Sequence, residues 1–230
     1  MAWDGYTSGI LNYEEALVAP YLLVALTGLL FVLLFGVLSV LRREGISLRF
    51  TFEAVVLTAI LTAIVAVTGM DLNPVFAVIL LYLITMRVRL LIDLGNFLAR
   101  RRNHAAAGRA YALAHRLWPD ESGRLLVQLN EGVLALHCDR LDEAVATFRR
   151  VLEASDSGYL GIKSQAAGHY NLGVAYQRQG LDAPAALEFN RVLDTWPVTE
   201  YARYARIALN RRKQKGAAAE PPDDDASKNS

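Results

Sequence analysis

The stretch NLGVAYQRQGLDAPAALEFNRVLDTWP, residues 171–197, decides the fold of the second half of the chain. Its apolar and small residues recur at the three- and four-residue spacing of amphipathic helices, and a glycine interrupts the pattern midway. The stretch therefore predicts two helices joined by a short turn. The positions with a defined role are Gly173 and Ala185 at the helix crossing, Tyr176 and Phe189 in the gap between neighbouring units, Gly180 in the turn and Pro197 at the end of the second helix.

Two earlier stretches repeat these offsets. NEGVLALHCDRLDEAVATFRRVLEA, residues 130–154, has Gly132, Ala144 and Phe148, and DLGNFLARRRNHAAAGRAYALAHRLWP, residues 93–119, has Gly95, Ala107 and Tyr111. The last copy in particular closely resembles the tetratricopeptide repeat, a helix–turn–helix unit that stacks into a solenoid. The resemblance covers about half of the chain and implies three repeats, at about 88–121, 125–158 and 166–198. We expect a capping helix over 199–213 and a disordered tail over 216–230, which is small, charged and contains proline.

The resemblance also implies a function, because such arrays bind a peptide or a helix of another protein in a concave groove. The groove positions carried over from the family come from the first helix of each repeat. An alternative for the apolar members is that they pack inside a short, tightly wound array. A clamp for a terminal carboxylate, as in chaperone-binding members, is not expected, because the lysines that it needs are missing. The groove residues are Ile92, Asn96, Arg100, Leu126, Leu129, Val133, His137, Tyr170, Val174, Gln177 and Arg178.

Three long apolar runs precede the repeats. The first covers 16–41 and has no charge, and the second covers about 51–70 with Glu53 as its only charge. The third begins at Asn73-Pro74, a helix N-cap followed by proline, and ends near residue 91. About 20 helical residues cross a hydrocarbon core of about 30 Å. The sequence thus predicts an all-α chain, with three transmembrane helices within 16–91 and then a short tetratricopeptide-like α-solenoid.

The arginines predict the orientation of these helices. Arg42, Arg43 and Arg49 lie between the first two runs, and five more lie at the end of the third run or just after it, before residue 103, whereas residues 1–15 and the second loop have none. Because cytoplasmic loops carry the excess of positive charge, we expect 1–15 outside and the repeats in the cytoplasm, in a plasma or bacterial inner membrane. We also expect the third helix to run straight into the first repeat, which begins near residue 88. Small residues in the runs, including Gly28 and Gly36, fit either ordinary membrane composition or a helix-association face.

No pattern in the sequence predicts catalysis. The four histidines lack metal-ligand spacing, no glycine-rich phosphate loop is present, and the single cysteine, Cys138, falls on an apolar helix face. We therefore expect a protein that is not an enzyme, with no cofactor, no metal site and no small-molecule substrate. Residues 99–215 carry 18 Lys and Arg against 12 Asp and Glu, which favours contact with anionic membrane lipids over nucleic acid.

Two functions fit these features. The first is a membrane-anchored scaffold or assembly adaptor that binds proteins at the cytoplasmic face. The second is a permanent structural accessory subunit of a larger membrane complex. A sensor or transporter component would need an external ligand site, for which the predicted outside segments are too short.

Overall fold

The computed structural model describes residues 19–41, 48–155 and 158–219. Within these ranges the chain forms ten α-helices and no strand, which confirms the predicted all-α class. Two compact units meet at the boundary between Leu90 and Leu91. The helices are α1 (Pro20–Leu41), α2 (Leu48–Thr68), α3 (Pro74–Thr85), α4 (Arg87–Arg100), α5 (His104–Arg116), α6 (Glu121–His137), α7 (Leu141–Ser155), α8 (Ile162–Arg178), α9 (Asp182–Thr195) and α10 (Glu200–Ala219). The predicted external tail, residues 1–15, lies outside the described residues.

Two helices of the first unit are long and apolar enough to cross a bilayer, α1 over Pro20–Leu38 and α2 over Arg49–Thr68. Many of their large apolar side chains are exposed, such as Leu30 and Val67, an arrangement that is unfavourable in water and favourable in lipid. α3 has 12 residues, which make about 18 Å of helix. α3 is long enough to cross a bilayer only when it is counted together with α4, to which it is joined at a bend. The chain therefore has two or three apolar segments of spanning length, which suggest membrane insertion.

Close contacts between small and aromatic side chains hold the first unit together. Gly28 of α1 lies so near Thr58 of α2 that an added Cβ would overlap the threonine side chain. A Cβ added to Gly36 would meet no atom of the described residues within 4 Å. The rings of Phe35 and Tyr82 lie 5.8 Å apart between centroids, beside the buried Phe31. The helix-association alternative therefore holds for Gly28 and not for Gly36.

The third apolar helix begins as predicted, because the Asn73 side chain accepts a hydrogen bond from the amide of Val75 and Pro74 occupies the first turn. It does not continue straight. α3 ends at Thr85, and the chain bends by 72° before α4 begins at Arg87. The Arg87 guanidinium donates to the carbonyl of Ile84, 2.8 Å away, and to the Glu53 carboxylate of α2 at 2.7 and 3.1 Å. These bonds stabilise the end of α3 and fix it against α2.

The second unit is built from helix pairs stacked in chain order. α6 contacts α7 and α8, α8 contacts α9 and α10, and α5 packs on α6. Contacts between neighbours in sequence are typical of a quasi-linear repeat array. The largest core lies between α6 and α10, where Phe148, Val151 and Val192 have no exposed surface. We call α4–α5, α6–α7 and α8–α9 the three helix pairs.

Each pair contains a glycine in its first helix that lies against an aromatic ring of its second helix. An added Cβ would lie 2.7 Å from a ring atom of Phe148 at Gly132, and 2.7 Å from a ring atom of Phe189 at Gly173. Gly95 has the same relation to Tyr111. The aromatic residue follows its glycine by sixteen positions in all three pairs. The ring of Phe189, predicted to fill the gap between units, lies against Gly173 of its own pair and also lines a small space shared with Ala208 and Leu209 of α10.

The turn inside each pair also has one geometry. Arg102, Asp139 and Gly180 have φ of 60°, 58° and 77°, and each lies seven positions after the glycine of its pair. The next amide bonds back to a carbonyl five residues earlier, as in Asn103 to Leu98, Arg140 to Ala135 and Leu181 to Tyr176. This is the Schellman closure of a helix end, for which glycine is the favoured left-handed residue. The prediction of Gly180 in the turn is confirmed.

The final helix is longer than the sequence predicts. We expect 199–213 from the sequence, whereas α10 covers Glu200–Ala219 and its own residues Ala202 and Ala205 are fully buried. Gly216 to Ala219 are thus helical, in a segment that was expected to be disordered, and 220–230 lie outside the described residues. The extension follows from good helix formers in the sequence, including three consecutive alanines at 217–219.

Candidate binding surface

The structure places every predicted groove residue on the first helix of a pair. Ile92, Asn96 and Arg100 lie on α4; Leu126, Leu129, Val133 and His137 on α6; and Tyr170, Val174, Gln177 and Arg178 on α8. α6 and α8 are direct neighbours, and the Arg178 guanidinium donates to the Leu136 carbonyl at 2.9 Å. The first helices of the second and third pairs therefore form one continuous side of the array.

Two apolar groove residues are not open to a partner. Ile92 and Leu129 are each 6% exposed. A methyl group of Leu129 lies 3.4 Å from the position of a Cβ on Gly168, so this side chain fills the contact between α6 and α8. For these residues the alternative of packing inside the array holds.

Tyr170 is covered by the chain itself. Its ring lies 5.7 Å from that of Tyr201 and 6.0 Å from that of Tyr204, both on α10, and 5.9 Å from that of Phe189. Burial raises the pKa of Tyr170, and the neighbouring Tyr204 raises it further. The last helix thus packs where a further first helix would lie, and it closes this end of the predicted groove. Tyr170 contributes to the core here.

The open part of the surface is polar and basic. Arg100, His137, Gln177 and Arg178 are exposed, whereas Leu126, Val133 and Val174 are half-buried between them. We call the exposed side of α6 and α8 the first-helix surface. Asn96 is turned toward the pair and accepts a hydrogen bond of 2.7 Å from the Tyr111 hydroxyl. The open part of the surface therefore presents hydrogen-bonding and positive groups.

A histidine pair at the edge of this surface has no signal in the sequence. The imidazole of His104, at the start of α5, stacks on that of His137 with 6.5 Å between ring centroids and 15° between planes. Burial lowers the pKa of His137, and electrostatic interaction with His104 and Arg178 lowers it further. The two residues are 33 positions apart and on different pairs, so only the stacking of the array brings them together.

Two asparagines at matching positions of the second and third pairs bond within their own helices. The Asn130 amide donates to the Leu126 carbonyl at 2.7 Å, and the Asn171 amide donates to the Ala167 carbonyl at 2.9 Å. Each lies two residues before the glycine of its pair and bonds back within its own helix. Their donors are engaged with the backbone, so they recur as part of the repeat geometry.

A second open groove of about 560 Å³ lies between α7 and the turn that joins α8 to α9. Its polar side chains are bonded to one another. The Arg149 guanidinium donates to the Tyr176 hydroxyl at 2.6 Å, and the Gln179 amide donates to Asp142 at 2.7 Å. Tyr176 thus bridges two pairs, as predicted from the sequence, and the groove is lined by groups that already have partners.

One buried carboxylate is also fully engaged. Glu188 is 5% exposed and is bonded to His169 at 2.7 Å and to Arg191 at 2.8 Å.

The described residues contain no group of three or more histidine, cysteine, aspartate or glutamate side chains placed to hold a metal ion. Comparisons of the chain with protein-family models, with curated proteins and with solved structures find no match.

Proposed function

We propose that this chain is a membrane-anchored scaffold that binds other proteins through its stacked helix pairs, as the resemblance to tetratricopeptide repeats implies. The observation that carries the proposal is the threefold recurrence of one internal geometry, a glycine against a ring and a left-handed turn residue at fixed offsets. Stacked pairs of this kind expose a long side to solvent, and such sides suit the capture of a peptide or a helix.

The first-helix surface favours one class of partner. Its exposed groups include the guanidinium of Arg178, the imidazole of His137 and the amide of Gln177. Arginine binds carboxylates through paired hydrogen bonds. Val133 and Val174 are half-buried on the same helices, so a partner can reach part of each apolar side chain. The partner segment that fits is amphipathic, with acidic side chains on the face that meets α6 and α8.

The orientation that we propose has residues 1–15 outside and the helix pairs in the cytoplasm. The ion pair between Glu53 and Arg87 supports it, because Glu53 lies five residues into α2 and Arg87 follows α3. From Glu53 to Thr68 α2 covers about 22 Å, and α3, with 12 residues, covers about 18 Å. α3 therefore returns to the level at which α2 begins. That level borders the arginine-containing first loop, which the excess of positive charge places in the cytoplasm.

Purification of the tagged full-length protein in mild detergent, after crosslinking in cells, tests the binding function. Gln177→Trp places a bulky group on α8 of the first-helix surface, and Asn190→Trp does the same on α9. Both residues are exposed amides. We expect the first variant to recover roughly tenfold less partner than the wild type, through steric exclusion, and the second to recover as much. Equal recovery by both variants would remove the proposed surface.

The alternative, a permanent accessory subunit, is separated by the same extract. A subunit migrates at fixed stoichiometry in one large complex that survives without crosslinking. An adaptor is found mainly as a free or substoichiometric pool. The accessory function has no observation of its own among the described residues, so the scaffold is the function that we put forward.

A further inference from the structure

α4 carries an apolar stripe on the side opposite to its partner helix. Leu94 is 47% and Phe97 44% exposed, and with Leu90 and Arg101 they follow the three- and four-residue spacing of one helix face. Ile92 and Gly95 are buried on the other side, where Gly95 meets Tyr111. The stripe therefore cannot be covered by the pair that α4 belongs to.

Chain connectivity keeps this stripe close to the bilayer. α4 begins one residue after α3, at Arg87, whose guanidinium is bonded to Glu53 near the start of α2. Leu94 lies seven residues further along the same unbroken helix, about 10 Å away. α3 and α4 are bent by 72° at the break between them. An amphipathic helix in this position lies in the interface with its apolar face toward the acyl chains.

The charges around the stripe identify the lipid class. Residues 87–102 contain five arginines and one acidic residue, Asp93. Arg100, Arg101 and Arg102 follow one another at the end of α4, and the Arg101 guanidinium lies 4.5 Å from the centroid of the Phe97 ring. A ring beside a guanidinium places an apolar group in the acyl boundary and a positive group at the headgroups.

We propose that α4 docks on the cytoplasmic leaflet, with Leu94 and Phe97 inserted among the acyl chains and Arg100 to Arg102 bound to anionic lipid headgroups. The partner of this face is a lipid surface, and the face is separate from the first-helix surface. This contact would hold α4 at the membrane. The inference depends on membrane insertion of α3, and it does not depend on the proposed protein binding.

Depth-dependent quenching in nanodiscs tests the contact with the full-length chain. In a Cys138→Ser background, a polarity-sensitive fluorophore is attached at Leu94→Cys, and at Leu187→Cys as the control. Leu187 is an exposed leucine of α9, 54% accessible. The nanodiscs contain phosphatidylcholine labelled with a quencher near the glycerol backbone, with or without phosphatidylglycerol. We expect quenching at Leu94→Cys to exceed that at Leu187→Cys by roughly threefold or more in anionic nanodiscs.

The charge and apolar requirements are tested separately at the Leu94→Cys reporter. Removing phosphatidylglycerol, or adding Arg101→Gln, should lower the quenching, and Phe97→Gln should lower it in both lipid compositions. Circular dichroism confirms that each variant keeps its helix content. Equal quenching at the two reporter positions would overturn the proposal, as would quenching at Leu94→Cys that ignores lipid charge. A fluorophore shielded from water without quenching would show that a protein covers the stripe, which also overturns it. Extraction with carbonate reports separately whether the chain is membrane-inserted.

Discussion

Gly132→Ala is the substitution whose effect follows most directly from the repeating geometry. The new Cβ would lie 2.7 Å and 3.0 Å from two ring atoms of Phe148. Carbon atoms in contact are normally about 3.5–4.0 Å apart, so the ring must move by about 1 Å. Phe148 has no exposed surface and is surrounded by the main core of the array. Overpacking of this kind costs about 1–3 kcal/mol.

The control is Gly108→Ala, on α5. There the nearest atom to the added Cβ is a methyl carbon of Leu134 at 3.8 Å, an ordinary contact. Both substitutions replace a helical glycine and gain about 1 kcal/mol of helix propensity. We therefore expect Gly108→Ala to stabilise the array, and Gly132→Ala to be less stable than this control by about 1–3 kcal/mol.

Hydrogen exchange measured on the full chain in nanodiscs reports the free energy of opening for each helix. Slower exchange in α5 is expected for Gly108→Ala, and faster exchange in α6 and α7 for Gly132→Ala. A double-mutant cycle with Phe148→Leu isolates the contact, because the smaller side chain leaves room for the Cβ. A coupling above about 0.5 kcal/mol is expected. If the two alanine variants stabilise their helices equally, the close glycine–ring contact is refuted.

Three further predictions follow from the contacts of single residues. Burial raises the pKa of Tyr111 to about 12, and the charge of Glu131 adds to this shift. The contribution of Tyr111 to the free energy of unfolding is therefore complete below about pH 10 and is lost as the pH rises through 12. Urea unfolding followed by circular dichroism should show this loss in the wild type, up to about 3 kcal/mol, and a smaller one in Tyr111→Phe. The pKa of His137 is lowered by burial and by neighbouring charged groups. Its contribution to the free energy of unfolding is therefore present above about pH 6.5 and falls as the pH drops below that value. His137→Gln should flatten the acid side of the plot of unfolding free energy against pH, and an unchanged plot would contradict this. Glu53→Gln should destabilise the first unit by about 1–3 kcal/mol, because it removes the charged partner of Arg87. The unfolding temperature measured in nanodiscs should fall for this variant. It should not change for the control Glu143→Gln, whose ion pair is exposed.

Local patterns in the sequence predict the helix pairs well. The small residues, the turn glycine and the apolar spacing all act within about 30 consecutive residues, so they can be recognised without tertiary information. The Asn73 N-cap followed by Pro74 is local in the same way, and it is correctly placed. Asp139 and Arg102 show the limit of the pattern, because they occupy the same left-handed turn position as Gly180 without being glycine.

Features set by distant residues could not be predicted. The end of α3 is fixed by a bond between Arg87 and Glu53, which are 34 positions apart. The cover over Tyr170 comes from α10, and the pairing of His104 with His137 comes from the stacking of one helix pair on the next. The apolar groove residues were correctly placed on the first helices, but their exposure depends on neighbours that a spacing pattern does not specify.

A photo-crosslinking amino acid at Gln177, compared with one at Asn190, tests the central claim in intact cells. Both positions are exposed amides, one on α8 and one on α9. We expect a discrete adduct of higher mass in the membrane fraction for position 177, and none for position 190. Adducts of equal yield at both positions, or membrane protein without an adduct at 177, would contradict a scaffold that binds partners through its first helices.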